Sequence, residues 1–198
     1  MNANKKSFFT LAALVLASRL ADALTTFIGS PDLRYELNPV VSVFHMGWTG
    51  LFLATTAITC GVLYLAYLHY CHPLRFDLSS VADRHSLRAF ATHISFGPHG
   101  KFSDFLYRLP QRELLMRWAG YVGSYGLLFY GIFVVVNNLI LIYPNYLTSI
   151  WIDWGFASRY ADVAFILATV SLLTVAFFKA HYNKAMIENG IVYEQYTL

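Results

Sequence analysis

Long apolar stretches separated by shorter polar segments dominate the chain. A helix needs about 20 apolar residues to cross the roughly 30 Å hydrocarbon core of a bilayer. Four stretches are long enough, and we place them at about residues 7–29, 40–68, 114–142 and 160–180. The pattern predicts an all-α, polytopic helical bundle that forms a single membrane domain over residues 1–198.

The first stretch also resembles a secretory signal. Lys5 and Lys6 precede the apolar residues, and the small residues 21–23 resemble a cleavage site. The apolar stretch continues beyond that site through Phe27 and Ile28. We therefore predict that it is the first membrane helix.

Composition agrees with a membrane environment. Of the 198 residues, 57% are hydrophobic and only 13% are charged, about half the charged fraction of an average soluble domain. A soluble protein with this surface would aggregate, whereas lipid favours apolar side chains on the outside. We expect the lipid bilayer as a partner, together with other membrane proteins or further copies of the chain, and no nucleic acid. Cys60 and Cys71 would lie about 16 Å apart along one helix, so we predict two free thiols.

Basic residues are distributed unevenly between the two predicted sides of the membrane. One side holds only Arg34 and Arg159. The other side holds the basic residues Lys5, Lys6, Arg75, Arg84, Arg88, Lys101, Arg108, Arg112, Arg117, Lys179 and Lys184. Because short cytoplasmic loops are enriched in Lys and Arg, both termini and the loop 71–113 are predicted to be cytoplasmic. The membrane is predicted to be the cell (inner) membrane.

Two loop segments suit the membrane surface. Residues 101–109 alternate apolar and charged side chains at helical spacing, which predicts an interfacial amphipathic helix. Such a helix could lie on anionic lipid or pack under the bundle. The apolar segment 147–154 is too short to span and is predicted to lie along the headgroups on the outer side.

Several polar residues interrupt the predicted spans, where an ionisable side chain costs about 2.5–3.5 kcal/mol or more. The predicted topology places the strongest of them in the outer third of the bilayer, with two more in the loop just above. The candidate ligand-binding residues are Arg19, Asp22, Thr26, Glu36, Asn38, His45, Asn138 and Asp162. They predict a polar pocket. Under the alternative interpretation they are structural, as hydrogen bonds between helices and as the ion pairs Arg19–Asp22 and Arg159–Asp162.

A divalent metal is one candidate ligand for this level. Asp22, Glu36, His45 and Asp162 supply carboxylates and an imidazole, which suit Zn²⁺, Mn²⁺ or Fe²⁺. No tight ligand motif accompanies them, so the cofactor and the catalytic residues stay unknown. His69 and His72 are predicted to be solvated at the cytoplasmic interface.

Small residues recur at four-residue spacing, which lets membrane helices approach closely. This spacing is found at Ala13, Ala17 and Ala21, at Ala119 with Gly123, and at Gly120 with Ser124. We predict that these positions form helix contacts.

The run Asp22-x-x-Thr25-Thr26, followed by Glu36-x-Asn38-Pro39 before an apolar helix, resembles a pattern in a family of uncharacterised small prokaryotic multi-pass membrane proteins. The resemblance covers roughly the first fifty residues. It implies a helical membrane protein with a polar first hairpin, and it implies no activity.

Two hypotheses of function follow. The first is a non-enzymatic membrane protein that binds an ion, a proton or a polar headgroup, as a small transporter or as a subunit of a larger complex. The alternative is a membrane-embedded enzyme, with or without a metal, that acts on a lipid at the outer leaflet.

Overall fold

A computed structural model describes residues 3–33, 41, 43–72, 86–143, 146–153 and 159–188. The described residues are helical apart from turns and short connections. The helices are α1 (Ala3–Gly29), α2 (Trp48–Cys71), α3 (Leu87–Phe96), α4 (Arg112–Ile142), α5 (Tyr146–Asp153) and α6 (Arg159–Glu188), with one 3-10 turn at Phe102–Leu106. The all-α prediction is confirmed.

Four helices, α1, α2, α4 and α6, are long and apolar enough to cross a membrane. Within their most apolar windows only 11% to 28% of the residues are buried, so most side chains face outward, where lipid would solvate them. Helix α4 packs against α1, α2 and α6, and α1 also packs against α2. The predicted helical membrane bundle is thus confirmed, with α4 as the helix that the other three share.

The second spanning helix begins later than the apolar pattern predicts. It begins at Trp48 rather than at residue 40, and Gly47 before it has an extended backbone. His45 has a positive φ of 54°, which takes it out of the right-handed helical region. The Trp48 indole donates a hydrogen bond of 2.8 Å to the Pro31 carbonyl at the start of the first connection. His45 therefore lies in a connection and not inside a span.

The long loop contains a helix that the sequence pattern does not predict. Helix α3 begins after Ser86, whose side chain accepts a hydrogen bond from the Ala89 amide at 3.2 Å, a typical N-terminal cap. Phe90 and Ile94 lie one turn apart, and they form a buried cluster with Leu114 of α4 and with Phe177 and Ala185 of α6. Helix α3 is therefore packed against the ends of the spanning helices.

Residues 101–109 do not form the predicted amphipathic α-helix, since only Phe102–Leu106 is helical, as a 3-10 turn. The buried Asp104 carboxylate organises this turn. It accepts hydrogen bonds from the Tyr107 hydroxyl (2.6 Å), the Lys101 amide (3.1 Å) and the Arg108 guanidinium (2.9 Å). These donors hold the pKa of Asp104 below its ordinary value of 3.8, because they stabilise the ionised form. Local hydrogen bonding to the carboxylate thus replaces helix propagation.

Helix α5 coincides with the short apolar segment of the third connection. The Trp151 indole donates a hydrogen bond of 2.8 Å to the Asn137 side chain of α4, and the Thr148 hydroxyl donates one of 3.0 Å to the Ile140 carbonyl. These bonds fix α5 against the end of α4. That this segment lies along the headgroups stays a prediction.

Candidate functional site

The polar residues of α1 lie on the face that packs against α4. Ser18, Thr25 and Thr26 are buried. The Arg19 guanidinium lies 3.4 Å from the Asp22 carboxylate, and both side chains are half-buried, at 17% and 22% exposure. Positions 18, 19, 22, 25 and 26 follow the three- and four-residue spacing of one helix face, which is why one stripe of α1 carries all of them.

The Arg19 side chain packs against α4 at Gly131, a residue that has no side chain. Nη2 of Arg19 donates a hydrogen bond of 3.1 Å to the Leu127 carbonyl. A methyl group on Gly131 would overlap Nη2 of Arg19 and would lie 2.8 Å from the Ser18 hydroxyl. Gly131 therefore provides the space in which the guanidinium crosses to the α4 backbone.

The Asn138 side-chain amide lies at one end of the contact between α1 and α4. The Asn138 side chain of α4 donates hydrogen bonds to the hydroxyls of Thr25 (3.1 Å) and Thr26 (3.2 Å). Asn138 lies seven residues beyond Gly131, or about 10 Å along the helix. We use the term polar seam for the residues Ser18, Arg19, Asp22, Thr25, Thr26, Gly131 and Asn138.

The structure thus brings together four of the eight candidate ligand-binding residues, Arg19, Asp22, Thr26 and Asn138. His45 lies apart, exposed in the connection before α2. Asp162 is half-buried in the first turn of α6, a helix that packs against α4. Glu36 and Asn38 lie outside the described residues.

The metal hypothesis receives no support from the part of the chain that the structure describes. Among these residues, no group of three or more His, Cys, Asp or Glu side chains could hold a metal ion. Asp22, His45 and Asp162 belong to this part, whereas Glu36 does not. The metal site stays a prediction.

Sequence reasoning missed two features. The first is the pairing of Gly131 with Arg19. The signal that could have found it is the seven-residue spacing of Arg117, Ser124, Gly131 and Asn138, which places them on one stripe of α4. The second is a cluster around His69, a half-buried residue whose ring lies 6.0 Å from that of His181 between ring centroids. The apolar pattern ends the fourth span at residue 180, whereas α6 continues to Glu188 and brings His181 into the bundle.

Comparison with known proteins adds no relative. No protein-family model, no curated protein and no solved structure matches the chain. The resemblance of the first fifty residues to a family of small membrane proteins therefore stays a prediction, and functional inference rests on the geometry.

Proposed function

We propose that this chain is a non-enzymatic integral membrane protein that binds a polar headgroup at the polar seam, as a small transporter or as a subunit of a larger membrane complex. The four spanning helices support the membrane location. The observation that carries the proposal is the Arg19–Asp22 ion pair, which lies within a spanning helix and is still partly exposed.

An ion pair inside a membrane span destabilises the protein unless all of its hydrogen-bonding atoms have partners, so a pair that is retained without them is expected to have a function. This pair is not fully satisfied, because the buried Nε of Arg19 has no hydrogen-bond partner. Its remaining exposure leaves both charges reachable from outside the α1–α4 contact. The seam can therefore exchange internal contacts for contacts with a ligand.

The pair favours a ligand that carries both charges over a bare cation. A cation beside Asp22 would also face the Arg19 guanidinium, which is 3.4 Å from the same carboxylate, and the repulsion would offset much of the attraction. A zwitterionic headgroup offers an ammonium to Asp22 and a phosphate to Arg19. The Asn138 amide, bound to Thr25 and Thr26, borders the same seam.

Native mass spectrometry of the purified protein with phosphatidylethanolamine tests this proposal. Asp22→Asn and Arg19→Met should each reduce the number of lipids retained, because each removes one half of the charge pair. Thr56→Val is the matched control, since Thr56 is exposed on α2 and lies outside the seam. Equal retention by wild type, Asp22→Asn and Arg19→Met would overturn headgroup binding. Retention of Na⁺ or Mn²⁺ in place of lipid, lost in Asp22→Asn, would favour the cation hypothesis instead.

A further inference from the structure

A second group of ionisable side chains lies at the other end of the bundle, which we call the loop end because the long loop 71–113 connects α2 to α4 there. It consists of His69 near the end of α2, Arg117 near the start of α4, and His181 and Lys184 near the end of α6. None of them belongs to the polar seam. Three spanning helices therefore bring basic groups to one level.

The two imidazoles of this group are held by aromatic packing. The His69 ring lies 5.4 Å from Tyr121 and 5.8 Å from Phe177, between ring centroids. The His181 ring lies 4.5 Å from Phe177, whose side chain is only 1% exposed. Because Phe177 contacts both imidazoles, their positions are fixed relative to each other.

Basic groups adjoin one another in this cluster. His69 interacts with Arg117 and His181, and His181 interacts with Lys184. The ion pairs Arg19–Asp22 and Arg108–Asp104 lie elsewhere in the molecule and do not involve Arg117. The loop end thus gathers groups that are basic or can become so.

Arg117 lacks some of its hydrogen bonds in this arrangement. Its Nε and Nη1 atoms are both buried, and neither has a hydrogen-bond partner. A buried charged donor without a hydrogen-bond partner destabilises the fold, and such a group is expected to have an explanation, for example a bound ion. Because both nitrogens are buried, an anion that reaches them has to displace neighbouring side chains, and it would then accept hydrogen bonds from both.

We propose that Arg117, with His69 and His181, binds a phosphate group at the loop end of the bundle. The planar guanidinium is suited to phosphate, and an imidazole donates a hydrogen bond to an anion in either protonation state. Arg117 lies five residues into α4, about 7.5 Å from its start, so its guanidinium can reach the level of lipid headgroups. The phosphate could belong to an anionic lipid or to a soluble phosphate compound, and the site does not depend on the polar seam.

Thermal unfolding of the full chain in detergent tests this site, with inorganic phosphate and phosphatidylglycerol as separate probes. Wild type should be stabilised by at least one probe. Arg117→Gln should raise the probe concentration for half-maximal stabilisation at least about tenfold, because it removes charge-assisted hydrogen bonds to the phosphate. Arg112→Gln is the control, since Arg112 is an exposed arginine in the first turn of the same helix.

The two probes separate the sources of phosphate. A response to inorganic phosphate assigns a soluble compound, and a response to phosphatidylglycerol alone assigns a lipid headgroup. If neither probe stabilises wild type, or if Arg117→Gln and Arg112→Gln respond alike, the site is overturned. If Arg117→Gln fails to fold, Arg117→Lys and His181→Gln take its place. A weakened response in either one supports the site, and an undiminished response in both overturns it.

Discussion

Gly131 is the residue at which the polar seam depends on the absence of a side chain. In Gly131→Ala, the added methyl group would meet the Arg19 guanidinium and the Ser18 hydroxyl. The guanidinium ends a flexible side chain and can move away, but it then gives up its hydrogen bond to the Leu127 carbonyl. We expect a loss of about 1–3 kcal/mol of unfolding free energy, the usual cost of losing a hydrogen bond to a charged group, measured by thermal unfolding in detergent.

Two further variants show whether that loss comes from the crowded guanidinium. Gly126→Ala is the control on the same helix, because its added methyl group would meet no other atom within 4 Å. In an Arg19→Met background, Gly131→Ala should cost less than in wild type, since the double-mutant cycle removes the shared contact. An equal cost in both backgrounds would contradict the role of Gly131 as space for Arg19.

At the scale of the helices, sequence reasoning identified the four spans because their length and apolar character suffice for that inference. It failed at the start of α2, where residues 40–46 are apolar enough to extend the span but Gly47 and the positive φ of His45 interrupt it. Helix α3 was missed because it is short and its apolar residues find their partners only in α4 and α6.

For the candidate site too, sequence reasoning succeeded within one helix and failed between helices. Arg19, Asp22 and Thr26 share one helix face, so local spacing was enough to group them. Asn138 and Asp162 were assigned by depth in the membrane alone, and depth does not say which faces meet. The structure supplies that information for Asn138, through its bonds to Thr25 and Thr26.

The small residues on α4 give the prediction at this scale. A methyl group on Gly120 would overlap the backbone carbonyl of Leu65 in α2, whereas one on Gly123 would lie 3.2 Å from a methyl carbon of the Val62 side chain. A side chain can rotate away and a helix backbone cannot. We therefore expect Gly120→Ala to lower the unfolding temperature in detergent more than Gly123→Ala, at a cost of about 2 kcal/mol or more.

Gly61→Ala is the control for this contact, because Gly61 lies on α2 and its added methyl group would meet no other atom within 4 Å. Equal unfolding temperatures for Gly120→Ala and Gly61→Ala would show that α2 and α4 do not approach closely at Gly120. The small residues Ala13 and Ala17 of α1 mark a different situation, since both are exposed. Spacing alone therefore does not identify which stripe of small residues forms a helix contact.

For the whole molecule, α4 connects two polar regions of different character. Its later half bears Gly131 and Asn138 of the polar seam, and its first turns bear Arg117 of the loop end. Arg117 and Asn138 are 21 residues apart on this helix, or about 31 Å along its axis, and the seam extends from Asn138 back to Leu127 near the middle of the helix. One region would then face lipid or solute on each side, and the sidedness of the membrane decides which ligands each can meet.

That sidedness is the last prediction. Labelling of single cysteines, introduced after Cys60 and Cys71 are replaced, should find Lys101 and Lys184 accessible from the cytoplasm and Asp32 and Asp153 accessible from outside. All four positions are exposed, so failure to label reports the side and not burial. The physical reason is the excess of Lys and Arg at the loop end, which is retained on the cytoplasmic side during insertion. If a cysteine at Lys101 is labelled from outside, the orientation is the opposite of the predicted one, and the polar seam lies in the cytoplasmic half of the bilayer.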